Sequence, residues 1–444
     1  MQLAKRLKGE LVISLVRTFI ARGIAALGGL LLAVVLGRLY GPAGVGVFAL
    51  AQSLYMGAGI LARYGMNNAL MRYVGQDHQA RVITIYLRWA LYKAGLFSLV
   101  AGVAIFFLRG YLGRWFDAEA LPGVLVGISL VIPAYTLASV LGGFMKGVRR
   151  PATACLLENG SISLVACALV LGLNALWPLV GIANAGWAFA LAAWLVLVQG
   201  AWQTWCWLQS QNLHGTDDSV TQQEFATSSR AFFVLSLAQL MQQVVSVLIA
   251  GWLLSNADLG LFKAAERTAL LINFILLVIN AVLPPRFAAL YRQQNMIRLD
   301  ALARRGVLLG LALAAPMWLL CLLVPQQVLG LFGAEFIAAE NLLRIIASAQ
   351  LINVATGSVG FLLNMTGHEK LMRNIVLSCN ALGLSMFLVL IPPFGALGAA
   401  WALALVLVLQ NLTALLFVWR KLGIWMLPTP NLLKWMKTDT QEAT

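Results

Sequence analysis

The sequence predicts an all-α polytopic membrane protein with about twelve transmembrane helices, arranged as two six-helix lobes related by a parallel internal repeat. Three observations carry that prediction. Apolar runs of bilayer length fill most of the chain, two windows repeat at one shift, and the cations gather on one side of the apolar runs. Of the 444 residues, 61% are hydrophobic and only 11% charged, with a mean hydropathy of +0.85. A soluble domain carries about 25% charged residues, and a water-exposed fold cannot bury so large an apolar excess. Helices of roughly 20 apolar residues, each long enough to cross the hydrocarbon core, can hold it.

Runs of this kind lie near 11–36, 45–66, 87–108, 121–143, 152–175, 179–203, 231–254, 259–283, 306–324, 340–364, 371–391 and 395–418. The first is too long for a signal peptide, holds Arg17 and Arg22, and lacks a convincing cleavage site, so it is read as span one. Charges cut into spans three and eight.

The repeat begins with GRLYGPAGVGVFALAQS, residues 37–53, which aligns without a gap on GWLLSNADLGLFKAAER, 251–267. The shift is 214, and Gly37, Leu39, Ala43, Gly46, Phe48 and Ala51 meet identical residues. GIANAGWAFAL, 181–191, matches GALGAAWALAL, 395–405, at the same shift. FDAE at 116–119 and FGAE at 332–335 echo each other at a shift of 216. A unit of six spans is even, so both copies enter the membrane the same way, as in parallel-repeat transporters, with the substrate site expected between them near the midplane. The expected organisation is an N-terminal lobe at 1–206, a polar cytoplasmic linker at 207–230, a C-terminal lobe at 231–418 and a cytoplasmic tail at 419–444. The glycine-rich window is the outer turn between spans one and two. Small residues there allow a tight reversal and close helix approach.

The net charge of +15 is explained by topology rather than by nucleic acid. With the N-terminus inside, 22 of the 31 Lys and Arg residues fall on cytoplasmic segments and three (Arg38, Arg109, Arg114) on the opposite loops. This positive-inside asymmetry assigns both termini to the cytoplasm. Six cations remain inside spans: Arg17, Arg22, Lys93, Lys263, Arg267 and Arg344. A mid-helix Arg or Lys costs about 2.5–3.5 kcal/mol on insertion scales, so such residues are functional candidates. Arg22 lies eleven residues into span one, about 17 Å at the helical rise; Arg17, about 9 Å deep by the same rise, can snorkel to the headgroups. Lys263 and Arg267 share one helical face, with Glu266 able to pair with Lys263. Lys93 and Arg344 read as interfacial marks at span ends. Glu158 and Glu266 are the scarce intramembrane acids and the candidates for a coupling ion. The basic excess points to a water-filled path for an anionic substrate, with Arg17, Arg22, Lys263 and Arg267 as its expected contacts.

Other chemistry is sparse. The five cysteines form no spaced pairs and the three histidines, His78, His214 and His368, fall in loops, so neither a metal nor a cofactor is expected. No G-x-x-x-x-G-K-[ST] run is present to cradle ATP. Asp217 and Asp218 belong to the polar linker, Pro133 and Pro316 fall inside spans four and nine where they can kink a helix, and Trp177, Trp202, Trp205, Trp207 and Trp419 sit at span ends as interfacial anchors.

LGRLYGPAGVGVFALAQS followed by ARYGMNNALMRYVG (62–75), with GHEK (367–370) and FGALGAAWALAL (394–405), resembles the polysaccharide-transporter flippases. These are the O-antigen and exopolysaccharide repeat-unit flippases of the multidrug/oligosaccharidyl-lipid/polysaccharide (MOP) exporter superfamily. The resemblance covers nearly the whole chain in span number, loop lengths and two-lobe repeat. It implies a MATE/MOP-like fold and a transporter rather than an enzyme. The cargo implied is an undecaprenyl-pyrophosphate-linked oligosaccharide, moved across the bacterial inner membrane by alternating access. It also implies membrane lipids, and admits a polysaccharide polymerase and chain-length regulator, as partners. Residues matching the pyrophosphate contacts of related flippases are Arg17, Arg22 and Arg267. The alternative is a cation-coupled multidrug exporter of the same superfamily, for which an aspartate in span one is expected; span one here carries arginines.

Overall fold

The computed structural model describes residues 2–76, 81–176, 181–211 and 222–426. All regular structure among them is helical. In chain order the helices are α1 (Gln2–Ala62), α2 (Met66–Gln76), α3 (Val82–Trp115), α4 (Leu121–Gly147), α5 (Pro151–Cys155), α6 (Ser161–Leu176), α7 (Ala183–Gln209), α8 (Gln222–Leu240) and α9 (Ser246–Leu253). Then follow α10 (Asn256–Arg292), α11 (Met296–Leu323), α12 (Pro325–Gly330), α13 (Glu340–Thr356), α14 (Val359–Met365) and α15 (Glu369–Leu422). Two π-helical turns, Leu156–Gly160 and Met241–Val245, join α5 to α6 and α8 to α9.

Helices overlie every apolar run read from the sequence, but not one helix per run. Among the described residues, seven helical segments are long and apolar enough to cross a membrane, or eight if the bent pair around Leu156–Gly160 is one span. The count falls short of twelve for identifiable reasons. α1 and α15 each carry two runs across a kink, at Gly41 (φ 67°) and Gly395 (φ 56°) respectively. That left-handed backbone is open to glycine at no steric cost. Within α10, Asp258, Lys263, Glu266 and Arg267 dilute the apolar stretch. Pro133 and Pro316 lie inside α4 and α11, each continuous past its proline. The Ser129 carbonyl, which loses its i+4 donor at Pro133, lies against Gly102 of α3.

The chain forms two compact units: Met1–Ala264 with Leu329–Ala338, and Ala265–Val328 with Ala339–Thr444. In the first, α4 is the central helix, 78% buried over its apolar window. It crosses α7 where Gly127 and Gly186 face each other, each too close to the opposing backbone to admit a Cβ. Small residues permit this approach, and dispersion between the backbones replaces the hydrophobic drive that lipid cannot supply. The second unit is centred on Phe287, Leu299, Leu362, Leu363, Leu415 and Val418, from α10, α11, α14 and α15.

The repeat is visible in the backbone. Gly181 and Gly395, partners at a shift of 214, have φ of 94° and 56°; Asp117 and Gly333, partners at 216, have 47° and 140°. The glycine-rich turns of the two copies meet within the first unit. Gly46 lies against the Asn256 carbonyl and Gly260 against the Pro42 carbonyl, and a Cβ on either glycine would stand 3.0 Å from the amide nitrogen of the other. Pro42 and Asn256 are themselves partners at 214, so the contact is reciprocal. Around it, Trp115 stacks on Trp252 at 6.4 Å, and Asn256 donates to the Asp117 carbonyl at 3.0 Å. Arg38 donates to the Leu331 carbonyl at 2.7 Å, while the Phe336 ring covers Gly37.

Candidate functional site

Of the six cations that the sequence leaves inside spans, Arg22 has the most informative surroundings. It is an exposed residue of α1, and its guanidinium lies near the Cys155 thiol of α5. Next to Cys155 is the π turn Leu156–Gly160, where the α5–α6 pair bends by 50°. A π turn displaces its residues from the regular helical face and is frequent at functional sites. Glu158 sits in this turn and accepts from Lys146 Nζ with both carboxylate oxygens at 2.6 Å. Lys146 is in the last turn of α4, brought back by the tight Val148–Arg150 connection, where Arg149 has φ 63°. Gly142 leaves room for the Glu158 stem, since a Cβ there would be 2.8 Å from Glu158 Cγ.

The group thus contains two cations and one carboxylate, a local charge of plus one. The Lys146 and Glu158 side chains are 34% and 20% exposed, so solvent or a ligand reaches them. Such a set can neutralise and orient an anion. Sequence reading placed Lys146 among the cytoplasmic cations and Glu158 among the scarce intramembrane acids; the structure joins them. The twelve-residue separation across a Val-Arg-Arg-Pro connection is the signal that would have found the pair.

The second group lies along α10. Lys263, Glu266 and Arg267 are each half-buried, and each has an interaction partner. Lys263 belongs to the first unit, Glu266 and Arg267 to the second. Arg17 is exposed on α1, five positions from Arg22 and therefore about 140° away around the helix. The remaining two cations lie on α3 and α13. Lys93 Nζ stands 4.1 Å from the centre of the Trp89 ring, and Arg344 near the start of α13 donates to the Leu322 carbonyl at 3.3 Å.

Two further sites were missed because the sequence was searched for charge in apolar runs. Arg63, assigned to a cytoplasmic segment, lies over the Tyr135 ring at 5.8 Å, and its buried Nε has no hydrogen-bond partner. In the second unit Asn353 of α13 donates to Asn273 of α10 at 3.0 Å and to Gln350 at 3.4 Å. Asn353 and Gln350 are buried. Amides in apolar runs, at 273, 350 and 353, were the available signal. No cluster of three metal-ligating side chains occurs among the described residues; His78 and His214 lie outside them, and His368 Nδ1 is 3.2 Å from Thr366 Oγ1.

The profile of a family described as "Polysaccharide biosynthesis protein" matches residues 12–291. Among solved structures, the chain is similar to the lipid II flippase MurJ in an inward closed conformation, with a TM-score of 0.70 at 11% identity over 92% of this chain and 87% of that one. It is similar to the MATE multidrug transporter DinF-BH, with a TM-score of 0.66 at 17% identity over 94% and 96% of the two chains. A MOP superfamily transporter from Pyrococcus furiosus gives 0.58 at 15% identity over 93% and 95%. These likenesses establish the fold. No curated protein sequence matches the chain.

Proposed function

We propose that this chain, which belongs to the polysaccharide biosynthesis protein family and has the fold of a MOP superfamily transporter, is a flippase for lipid-linked oligosaccharides. Its cargo is an undecaprenyl-pyrophosphate-linked repeat unit, carried to the outer leaflet of the bacterial inner membrane for O-antigen or exopolysaccharide assembly. Both termini are cytoplasmic, by the positive-inside asymmetry. The lobes are 1–206 and 231–418, joined by the 207–230 linker. A polymerase and a chain-length regulator act downstream.

The observation that carries this reading is the group at Arg22, Lys146 and Glu158. A pyrophosphate must leave water to cross, and its desolvation is offset only by fixed cations. Arg22 on one span and Lys146 on another supply them, with Lys263 and Arg267 as the corresponding pair on α10. Glu158 is held by Lys146 through two short bonds. Glu158 is the acid through which an ion gradient can couple to the site. Glu266 beside Lys263 is the equivalent acid on α10. The oligosaccharide follows the pyrophosphate through the aqueous path, and the polyprenyl chain stays in the bilayer.

The test is to delete the gene and identify what accumulates. Lipid-linked oligosaccharide trapped on the cytoplasmic leaflet, relieved by the wild-type chain and not by Arg22→Ala or Arg267→Ala at equal protein level, is the expected result. Normal surface polysaccharide with both variants removes the site assignment. Efflux of cationic drugs with no lipid intermediate favours the multidrug exporter instead. Translocation that continues after the proton and sodium gradients are collapsed excludes the coupling role of Glu158 and Glu266.

A further inference from the structure

We propose that a cleft between α2 and α8 selects the cargo by its sugars, with Arg72, Tyr73, Gln223 and Glu224 as specificity-determining contacts. The inference rests on the flippase reading above and adds to it a saccharide subsite that shares no residue with the Arg22–Lys146–Glu158 group. The cleft has a volume of about 870 Å³, within the range of small-molecule sites. α8 lines it with two adjacent rows, Gln223–Thr227–Ala231 and Glu224–Ser228–Phe232, each at the i, i+4 spacing that brings side chains onto one helical face. The lining therefore runs from amide, carboxylate and hydroxyl groups in the first turns of α8 to apolar groups further along. Arg72 and Tyr73 of α2 supply the other wall.

The chemistry of the lining matches a neutral polyhydroxyl ligand better than an ion. Among the described residues one guanidinium and one carboxylate line the cleft, so their charges cancel, whereas an ion is drawn to a cleft dominated by one sign. Arg72, Gln223 and Glu224 are exposed, and their planar, fork-shaped ends can each engage two neighbouring hydroxyls. The guanidinium donates, the carboxylate accepts and the amide does both. Arg72 donates to Ser228 Oγ at 3.4 Å, too long to hold the guanidinium against a ligand hydroxyl. The Thr227 hydroxyl donates to the Gln223 carbonyl at 2.8 Å and keeps its lone pairs as acceptors. Tyr73 and Phe232 are half-buried and offer apolar ring surface to the C–H face of a pyranose, whose edges carry the hydroxyls. The Tyr73 ring is held in place, 5.5 Å from Phe225 and 5.4 Å from Tyr86. Phe225 is itself buried and stacks on Tyr86 at 4.9 Å. A wall set before binding spares a weakly held sugar part of the ordering cost. By the positive-inside asymmetry Arg72 is cytoplasmic, on the side where a lipid-linked oligosaccharide awaits transport, so the cleft meets the cargo before it crosses.

The experiment titrates free oligosaccharide into the purified full chain in detergent, with saturation-transfer NMR as the readout. The probe is the oligosaccharide released by mild acid from the lipid-linked intermediate of the deletion strain. Wild type is expected to bind it, and Arg72→Ala and Glu224→Ala each to bind it about tenfold more weakly, the loss of one charge-assisted hydrogen bond. If either variant does not fold, Gln223→Ala is read the same way and should lose several-fold. Undiminished binding by all three variants overturns the proposal. Inorganic pyrophosphate that displaces the oligosaccharide at equal concentration also overturns it, in favour of an anion site. Maltotriose that binds as tightly as the native oligosaccharide does so too, in favour of an unselective surface. A deletion strain with no lipid-linked intermediate removes the flippase reading and this proposal with it, whereas an intermediate whose sugar ignores the cleft variants removes this proposal alone.

Discussion

Two pairs of repeat-related positions show opposite behaviour. At the glycine-rich turns, Gly46 and Gly260 do the same thing in both copies: each receives the backbone carbonyl of the other turn, leaving no room for a side chain. Arg72 and Arg286 are also partners at a shift of 214, yet their surroundings differ. Arg72 lines a cleft of about 870 Å³ together with Glu224 and donates weakly to Ser228 Oγ at 3.4 Å. Arg286 lines a smaller cleft with two more arginines and, among the described residues, no acid. Where backbone meets backbone, packing permits one residue and both copies keep it. Where a side chain faces an open cleft, geometry constrains little, and the two copies have diverged toward different electrostatic environments.

This contrast can be broken from the glycine side first. Gly46→Leu should lower stability by about 3 kcal/mol or more, because neither opposing carbonyl can retreat without moving its helix. Gly260→Leu should do the same. Thermal unfolding in detergent checks both. Gly110→Ala, at a position with nothing within 4 Å, should be neutral or stabilising by up to about 1 kcal/mol. A Gly46→Leu protein as stable as wild type would show that the turns are not closely packed.

The charged positions should respond in activity more than in stability. Arg22→Ala is expected to reduce export by on the order of 100-fold, the loss of a charge-assisted contact to an anion, with an unchanged melting temperature. Surface polysaccharide measured at matched protein level decides it. Glu158→Gln leaves the Lys146 ammonium without its counter-ion and should cost about 1 kcal/mol, since both side chains are partly solvated. Lys146→Met/Glu158→Leu should recover most of that loss, and a double-mutant cycle measures the coupling. The smallest effect is expected at Arg72→Gln, below about 0.5 kcal/mol, because its hydrogen bond to Ser228 is long, at 3.4 Å. A larger loss there would mean that this cleft is as constrained as the glycine turns.

How much was legible in the sequence varies with the range of the interaction. Apolar runs report helices because bilayer-length burial is written in consecutive residues, and helices overlie each run. The repeat at Gly46 and Gly260 was readable as two similar windows, but their mutual contact was not, since a shift says that two segments are alike and nothing about whether they touch. Arg22 stood out as a charge among apolar neighbours. Its contact with Cys155 and the adjoining Lys146–Glu158 pair did not, because they depend on the Val148–Arg150 connection and on a π turn that re-aims Glu158. Asn273 and Asn353 were passed over because an amide carries no charge to mark it, although in an apolar interior an unpaired amide costs enough to require a partner.

The sequence by itself determined the all-helical class, the membrane setting and the existence of two related halves. Each follows from local composition: hydropathy, charge bias and self-similarity are sums over neighbouring residues. Only the tertiary structure decided that the two turns interlock through their glycines, that Lys146 holds Glu158, and that three arginines from two helices share one cleft. Those facts concern atoms far apart in the chain and a few ångströms apart in space, where a carbonyl, a φ angle or a single kink sets the distance and therefore the energy.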